Sequence, residues 1–320
     1  MIFEKLMLKE YGRRILVRHD PDGWSRYFSP EDFEGLCYER FTFPSAEGVE
    51  LVAYAYYYET KDTAHPLVFD HGMGPGHRSY MRDIAYLASR GFTVLTYDHT
   101  GTRESGGENI RALSQSLSDL DAFLTYLKST EEYGAADFRV IGHSWGGFST
   151  YNIAAYHPEV THVVPISGFR SVHAMLEDQM GGVLRCFIPA VLSSEREKNP
   201  RFADADAVDS LSRTRAKLFA VHSIDDPVVS YTTHFASVES ALSEREGSTF
   251  VSFHDLAHNP YNTPEAVAYL NEFFDNRAKM QKKKRTTEEE KAAFVAGYDF
   301  TRMTEPNVAL WDEVCEFLRT

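Results

Sequence analysis

Cysteine is scarce: Cys37, Cys186 and Cys315 stand far apart in a chain of 320 residues. An odd, widely spaced trio excludes a disulfide framework, and without a C-x-x-C pair it offers no cysteine zinc or redox site. The three are expected as small, buried or half-buried side chains. Basic residues are outnumbered, with 33 Lys and Arg against 47 Asp and Glu, and a formal charge of −14 repels phosphate backbones and anionic lipid headgroups. No nucleic-acid partner is expected. No run of about 18 apolar residues occurs, and charges interrupt every apolar stretch near the N-terminus, so neither a spanning helix nor a signal-peptide core is predicted. The chain reads as a cytoplasmic protein without stable membrane insertion. The 13 histidines contain no H-E-x-x-H, and no G-K-[ST] follows a glycine-rich loop, so no metal or nucleotide cofactor is called for.

What is present is apolar mass. Hydrophobic residues make up 43% and aromatic residues 13%, enough to fill a large core. Residues 1–39 are mixed polar and aromatic and read as an N-terminal extension, with Ser29, Pro30, Glu31 and Asp32 starting a short helix. Residues 40–44 and 49–58, separated by a turn, predict an antiparallel hairpin. Short apolar runs at 66–70, 91–97 and 138–141 are then followed by helical stretches at about 79–89, 112–128 and 146–156. Further apolar runs occur at 162–166, 217–221 and 249–253. Such alternation predicts an α/β fold, a mostly parallel twisted sheet with helices on both faces.

Between about 170 and 214 the alternation lapses for too long to be a structureless connection, which predicts an inserted helical cap. Val183, Leu184, Phe187, Ile188, Val191 and Leu192 could place one wide apolar face on a single helix there. Met175, Met180, Phe187 and Ile188 would line an acyl pocket. A C-terminal helical segment spans about 276–320. In it the basic run 282–285 reads as a solvated turn before a helix opened by Thr286, Thr287 and Glu288 to Glu290. A final helix at about 306–318 sets Val308, Trp311, Val314, Cys315 and Leu318 at helical spacing for docking on the sheet.

The strongest chemical signal runs from Val140 to Gly147, where an apolar strand enters G-x-S-x-G and continues into a helix. That context suits a nucleophile elbow: Gly142 and Gly146 keep the neighbouring backbone clear while Ser144 projects from a strained apex. A serine hydroxyl is a poor nucleophile at its free pKa, so a histidine should take its proton and a carboxylate should fix that histidine's tautomer. Later in the chain two strand ends offer the partners: Asp225 or Asp226 after one run, His254 or His258 after the next.

These motifs resemble the α/β-hydrolase fold superfamily over about residues 41–274 and the last helix. The resemblance implies Asp226 as the acid, because Ser223, Asp226 and Val229 match the family's G-x-x-D-x-x-V with serine in the glycine position. It implies His258 as the base, because Ala257-His258 matches its late A-H or G-H pair. His254 is then a hydrogen-bonded loop residue. Two backbone amides must meet the oxyanion of acyl transfer: that of Trp145, next to the nucleophile, and that of Met73 in the loop His71-Gly-Met-Gly-Pro-Gly76, which resembles the family's oxyanion loop. His71 and His143 shape loop and elbow. Asp98 is structural, in a loop that departs from the family pattern at Arg103. The implied activity is serine-dependent hydrolysis of a small-molecule carboxylic ester or related acyl substrate. A serine aminopeptidase-like amidase, a carbon–carbon bond hydrolase and a binding protein without turnover are the alternatives.

Overall fold

The computed structural model describes residues 2–283 and 286–320. Helix α1 (Ile2–Arg14) precedes a hairpin of β1 (Cys37–Pro44) and β2 (Glu50–Tyr57). The alternating part follows as β3 (Leu67–Asp70), α2 (Met81–Ser89), β4 (Val94–Tyr97), α3 (Gln115–Ser129), β5 (Phe138–His143), α4 (Trp145–Ile153) and β6 (Val160–Ile166). A helical stretch then holds α5 (Val172–Gln179), α6 (Ile188–Lys198) and α7 (Ala207–Ser212), before β7 (Lys217–Ser223), α8 (Phe235–Leu242) and β8 (Ser248–Phe253). Helices α9 (Pro264–Gln281), α10 (Glu288–Ala296), α11 (Phe300–Met303) and α12 (Val308–Leu318) complete the chain.

Eight strands form one sheet in the order β1-β2-β4-β3-β5-β6-β7-β8. The hairpin is antiparallel, with Phe41 opposite Ala53, and β2 pairs antiparallel with β4; every pairing from β4 through β3 to β8 is parallel. The parallel strands β3 to β7 are buried on both faces, hence their unbroken apolar runs, while β8 at the edge is only half-buried. On one face Leu120 and Phe123 of α3, Phe148 of α4 and Phe235 of α8 join the core. On the other, Ile84 and Leu87 of α2 meet Trp311, Val314 and Leu318 of α12. Phe273, Phe300 and Met303 make a third, smaller cluster among α9 and α11.

Several elements depart from expectation, each for a local reason. Helix α1 was not foreseen, although Met7, Leu8, Tyr11 and Ile15 recur at helical spacing. Helix α3 begins at Gln115 rather than near 112, because Arg111 holds a positive φ of 61° and the buried Glu195 carboxylate of α6 accepts from Leu113 N, Ser114 N and Ser114 Oγ. An anion brought from another helix thus does the work of an N-cap. The single helix expected over 183–192 is broken. Residues 182–187 form a 3-10 turn and α6 starts anew at Ile188 with Pro189 in its first turn, since proline cannot continue a helix from upstream. Ile188, Val191 and Leu192 are buried, whereas Val183 is 85% exposed. In the last helix Leu310 is buried and Val308 is not. Cys37 and Cys186 are exposed, contrary to expectation, and only Cys315 is buried. Thr287 and Glu290 close a capping box on α10 as read from the sequence, while Lys284 and Arg285 of the basic run lie outside the described residues.

The turn between β5 and α4 is tightly packed backbone against backbone. A Cβ on Gly142 would lie 2.2 Å from the Gly146 carbonyl oxygen, and one on Gly146 would lie 2.1 Å from that of Asp70. Both obstacles are backbone and cannot swing aside. Gly146→Ala should therefore destabilise the protein by about 3 kcal/mol or more, or abolish folding. Gly181→Ala, where a Cβ meets nothing within 4 Å, should fall within about 0.5 kcal/mol of the parent in urea unfolding.

Docking of α12 carries a pH signature. Trp311 Nε1 donates to Asp83 Oδ1 at 3.0 Å, and burial pushes the Asp83 carboxyl up to about 7 despite that bond. Between about pH 4 and 7 the folded chain holds a proton that the unfolded chain has released, so stability falls as pH rises through that window. Asp83→Asn keeps the acceptor and removes the titration. Its urea midpoint should gain on the parent's between pH 4 and 7, by roughly 1–4 kcal/mol in stability.

Candidate active site

Ser144 sits where β5 turns into α4, at φ 57° and ψ −111°, a conformation no unstrained serine adopts. Its amide donates to the Ile166 carbonyl at the end of β6 (2.9 Å), and its carbonyl accepts from Phe148 N (3.1 Å). The strain is over-determined from below. Trp145 is buried, and its indole N–H donates to the Leu113 carbonyl at 2.5 Å. Ser149 Oγ, one turn later, donates to Asp70.

Asp70, at the end of β3, belongs to a wholly buried ionic cluster. His99 Nε2 stands 2.8 Å from Asp70 Oδ1, and His99 Nδ1 3.3 Å from Asp119 Oδ2. Burial opposes charge on His99, yet the two carboxylates outweigh it and raise its pKa to about 9. Tyr97 Oη also donates to Asp70 (2.9 Å), and Thr100 and Gln115 donate to Asp119. Strands β3 and β4 and helices α3 and α4 are thereby tied together beneath Ser144.

The two sequence-predicted triad partners come together. His258 Nδ1 lies 2.7 Å from Asp226 Oδ2, across 32 residues of chain. Asp226 Oδ1 accepts from Val228 N (2.8 Å) and Val229 N (3.0 Å), and His222 Nε2 approaches Oδ2 at 3.3 Å. Burial alone would raise the Asp226 pKa, but the bonds from His222 and His258, with that from Val229 N, hold it well below the usual carboxylate range. Asp225 has a different partner: its Oδ2 accepts from Ala257 N (3.1 Å), bracing the histidine loop. That loop carries two further left-handed non-glycine residues, Asp255 (φ 62°) and Ala257 (φ 45°). His254 is exposed and has no hydrogen bond among the described residues. A bond between Ser144 Oγ and His258 Nε2 is likewise absent among those residues; such contacts commonly tighten only with substrate.

The loop after β3 holds Met73. Neither its amide nor that of Trp145 has an acceptor among the described residues, which leaves both donors free. The amide of Gly72, by contrast, donates to Tyr80 Oη (3.1 Å). Asp98 pins the far end of this loop by accepting from His77 N (3.0 Å) and His77 Nδ1 (2.8 Å). Burial works to raise the Asp98 carboxyl, but His77 holds it down to about 2. His71 Nδ1 donates to the Gly72 carbonyl at 2.7 Å and its Nε2 accepts from His99 N at 3.1 Å, so this ring shapes the loop as read from the sequence.

One connection was missed. Tyr80 Oη donates to His143 Nδ1 (2.8 Å), and His143 Nε2 donates to the backbone carbonyl of His258 (2.8 Å). Burial, and then the neighbouring His258, push His143 down to about 3, so it stays neutral in the tautomer these bonds require. A single chain of bonds thus joins the Met73 loop, the serine elbow and the histidine loop. Nothing in the spacing of Tyr80 signalled it.

Two cavities flank Met73. One, of about 500 Å³, is walled by Tyr80, His143, Val228, His258, Phe274 and Arg277 among others. The second, of about 570 Å³, is bounded by Leu113, Met175, Met180, Phe187 and Val191 on one side and by Leu8 and Tyr11 of α1 on the other. Met175, Met180 and Phe187, expected at an acyl pocket, line this second cavity, whereas Ile188, expected there too, is buried in the core. Among the described residues no cluster of three or more His, Cys, Asp or Glu could hold a metal ion, and no helix is long and apolar enough to cross a membrane.

Comparison with known proteins gives a consistent picture. A family model described as "Serine aminopeptidase, S33" matches residues 62–211. A protein of Azorhizobium caulinodans named for carbamate hydrolysis (RutD) is 29% identical over 133 residues, 41% of this chain and 45% of that protein. The cutinase est1 of Thermobifida alba is 30% identical over 101 residues, 30% of this chain and 33% of the cutinase. The chain thus spans less than half the length of these curated relatives. Among solved structures, the Pyrococcus furiosus esterase Pf2001 superposes with a TM-score of 0.59 over 81% of this chain and 97% of the esterase, at 17% identity. With the parallel sheet, the strained serine between β5 and α4 and the paired Asp226 and His258 after β7 and β8, these likenesses show that the chain has the α/β-hydrolase fold.

Proposed function

We propose that this protein is a serine hydrolase that cleaves carboxylic esters through Ser144, His258 and Asp226. The observation that carries the reading is the 2.7 Å bond between His258 Nδ1 and Asp226 Oδ2 in a molecule whose Ser144 is held at a strained elbow. Asp226 keeps the proton on Nδ1, which leaves Nε2 basic toward the serine. Ser144 Oγ attacks the acyl carbon as its proton passes to His258 Nε2. The free amides of Met73 and Trp145 are the donors for the resulting oxyanion. Collapse expels the leaving group with the proton from His258, and water then releases the acid by the same steps in reverse roles.

Proton delivery also assigns the cavities. The leaving atom must come within hydrogen-bond reach of His258, so the cavity that contains His258 takes the leaving group and the cavity beyond Met73 takes the acyl group. The acyl side is apolar. Its one carboxylate, Glu10 at the rim, is paired with Arg13 (2.7 Å) and Arg14. An aminopeptidase needs a carboxylate free to hold the substrate ammonium, and among the described residues lining this cavity no other offers one. That supports an ester with an apolar acyl chain over the amidase reading suggested by the family model's description. The helical stretch from α5 to α7 is read as a cap, fastened by Glu195, Lys198 and Asn199 to residues 111–114 that lead into α3.

Ser144→Ala should abolish both p-nitrophenyl ester hydrolysis and labelling by a fluorophosphonate while leaving thermal unfolding intact. His258→Ala should lower kcat by about 10⁴ or more. Near-parental turnover in either variant would refute the assignment, and faster cleavage of an aminoacyl anilide than of any ester would move it to the amidase.

The two neighbouring aspartates separate by the same assay. Asp226→Asn should cost about three to four powers of ten in kcat at neutral pH. Asp225→Asn loses only a brace on Ala257 N and should cost about tenfold or less. Reversal of that ranking would transfer the acid role to Asp225.

A further inference from the structure

We propose that the N-terminal helix α1 is a wall of the acyl site and sets which acyl chains the enzyme accepts. This rests on the esterase reading above and adds to it a substrate class, straight apolar acyl chains longer than acetyl, together with the element that measures them. The helix lies outside the sheet and outside the matched residues 62–211.

Three observations carry the proposal. First, Met7, Leu8, Tyr11 and Ile15 line the 570 Å³ cavity, facing Met175, Met180 and Phe187 across it. Met7, Leu8 and Tyr11 are half-buried on one side of the helix and Ile15 follows them just past its end, whereas Lys5, Leu6, Lys9 and Arg13 are exposed. Leu8 and Tyr11 pack against the core and also border the cavity, and a cavity of this size beside them is space for a ligand. Second, Met73 lines this cavity and the His258 cavity alike. A carbonyl oxygen resting on the Met73 amide therefore has its leaving group on the His258 side and its acyl chain running toward α1. Third, the helix is anchored rather than loosely appended. Ile15 N and Leu16 N continue its bonding to Tyr11 and Gly12, and Leu16 is buried in the main core. The Arg18 guanidinium then donates to three carbonyls of one loop: Arg103, Ser105 (3.0 Å) and Gly107 (2.8 Å). A wall fixed in this way can discriminate length.

Each methylene added within the cavity should raise kcat/KM about fourfold, until the chain meets the far wall. Leu8→Trp fills the cavity and Tyr11→Ala enlarges it. In the full-length protein, Leu8→Trp should lower the ratio of octanoyl to acetyl p-nitrophenyl ester kcat/KM at least tenfold, and Tyr11→Ala should move the optimum to longer chains. Val183→Trp, on the exposed 3-10 turn beside the cavity, should leave that ratio within twofold. An unchanged ratio in Leu8→Trp and Tyr11→Ala, with thermal unfolding preserved, would overturn the proposal. Should those variants fail to fold, the wild-type protein decides. Labelling with an octyl fluorophosphonate should slow amide hydrogen exchange in residues 5–15 at least fivefold relative to an ethyl fluorophosphonate, and equal exchange would overturn the proposal. Absence of labelling by both probes would instead refute the esterase reading itself.

Discussion

The rest of the molecule depends on one close approach of backbone to backbone. The first turn of α4 is pressed against the ends of β3 and β6, with Gly146 over the Asp70 carbonyl and Gly147 over Gly168, where a Cβ would stand 2.1 and 2.7 Å from backbone atoms. This contact forces the sharp exit from β5 that leaves Ser144 in a left-handed conformation. Strain of order 1–3 kcal/mol at one residue persists only where its surroundings over-determine it. Here they do so through the buried Asp70, His99 and Asp119 cluster, which binds the strands and helices that hold the elbow. Removing one member would leave an uncompensated buried charge, so the cluster is a constraint more than a source of net stability.

Above that foundation, three loops from distant parts of the sequence must agree in position. The Gly72 amide, Tyr80 hydroxyl, His143 ring and His258 carbonyl form one hydrogen-bonded line through them. Because His143 is kept neutral by burial, its two nitrogens play fixed and different parts, one accepting and one donating. The Met73 loop and the His258 loop are thus referred to the same ring, which itself precedes Ser144 in the chain. Asp226 and Asp225 fasten the histidine loop from the other side, one through the imidazole and one through the Ala257 amide.

Chemistry and selectivity divide along the same boundary. The sheet and its strand-end loops carry the residues proposed for acyl transfer. The surfaces that would meet the rest of a substrate come from segments outside that frame: α1, the helices between β6 and β7, and α9 with the C-terminal helices. Loops and insertions tolerate variation because they leave the buried strands untouched. The same scaffold can therefore keep its reaction while the walls around it change.

Much of this was legible from residue order alone, because the signals were local. Parallel strands buried on both faces must be continuous apolar runs, so β3 to β7 could be read directly. A strand running into Gly-His-Ser-Trp-Gly-Gly specifies an elbow through its own backbone needs, and the strand ends offered Asp225 or Asp226 and His254 or His258, of which the α/β-hydrolase resemblance implied Asp226 and His258. What depended on distant partners was hidden. The late start of α3 required Glu195 from another helix, the link from Tyr80 to His258 required three loops to converge, and α1 became a wall only because Met175 and Phe187 face it across a cavity. The choice between Asp225 and Asp226 as partner of the histidine was likewise decided by direction in space, since adjacent residues in a turn point different ways. Sequence by itself determined which segments would be buried and where a strained serine would stand; tertiary structure decided which side chains meet, because a contact belongs to two segments and neither alone encodes it.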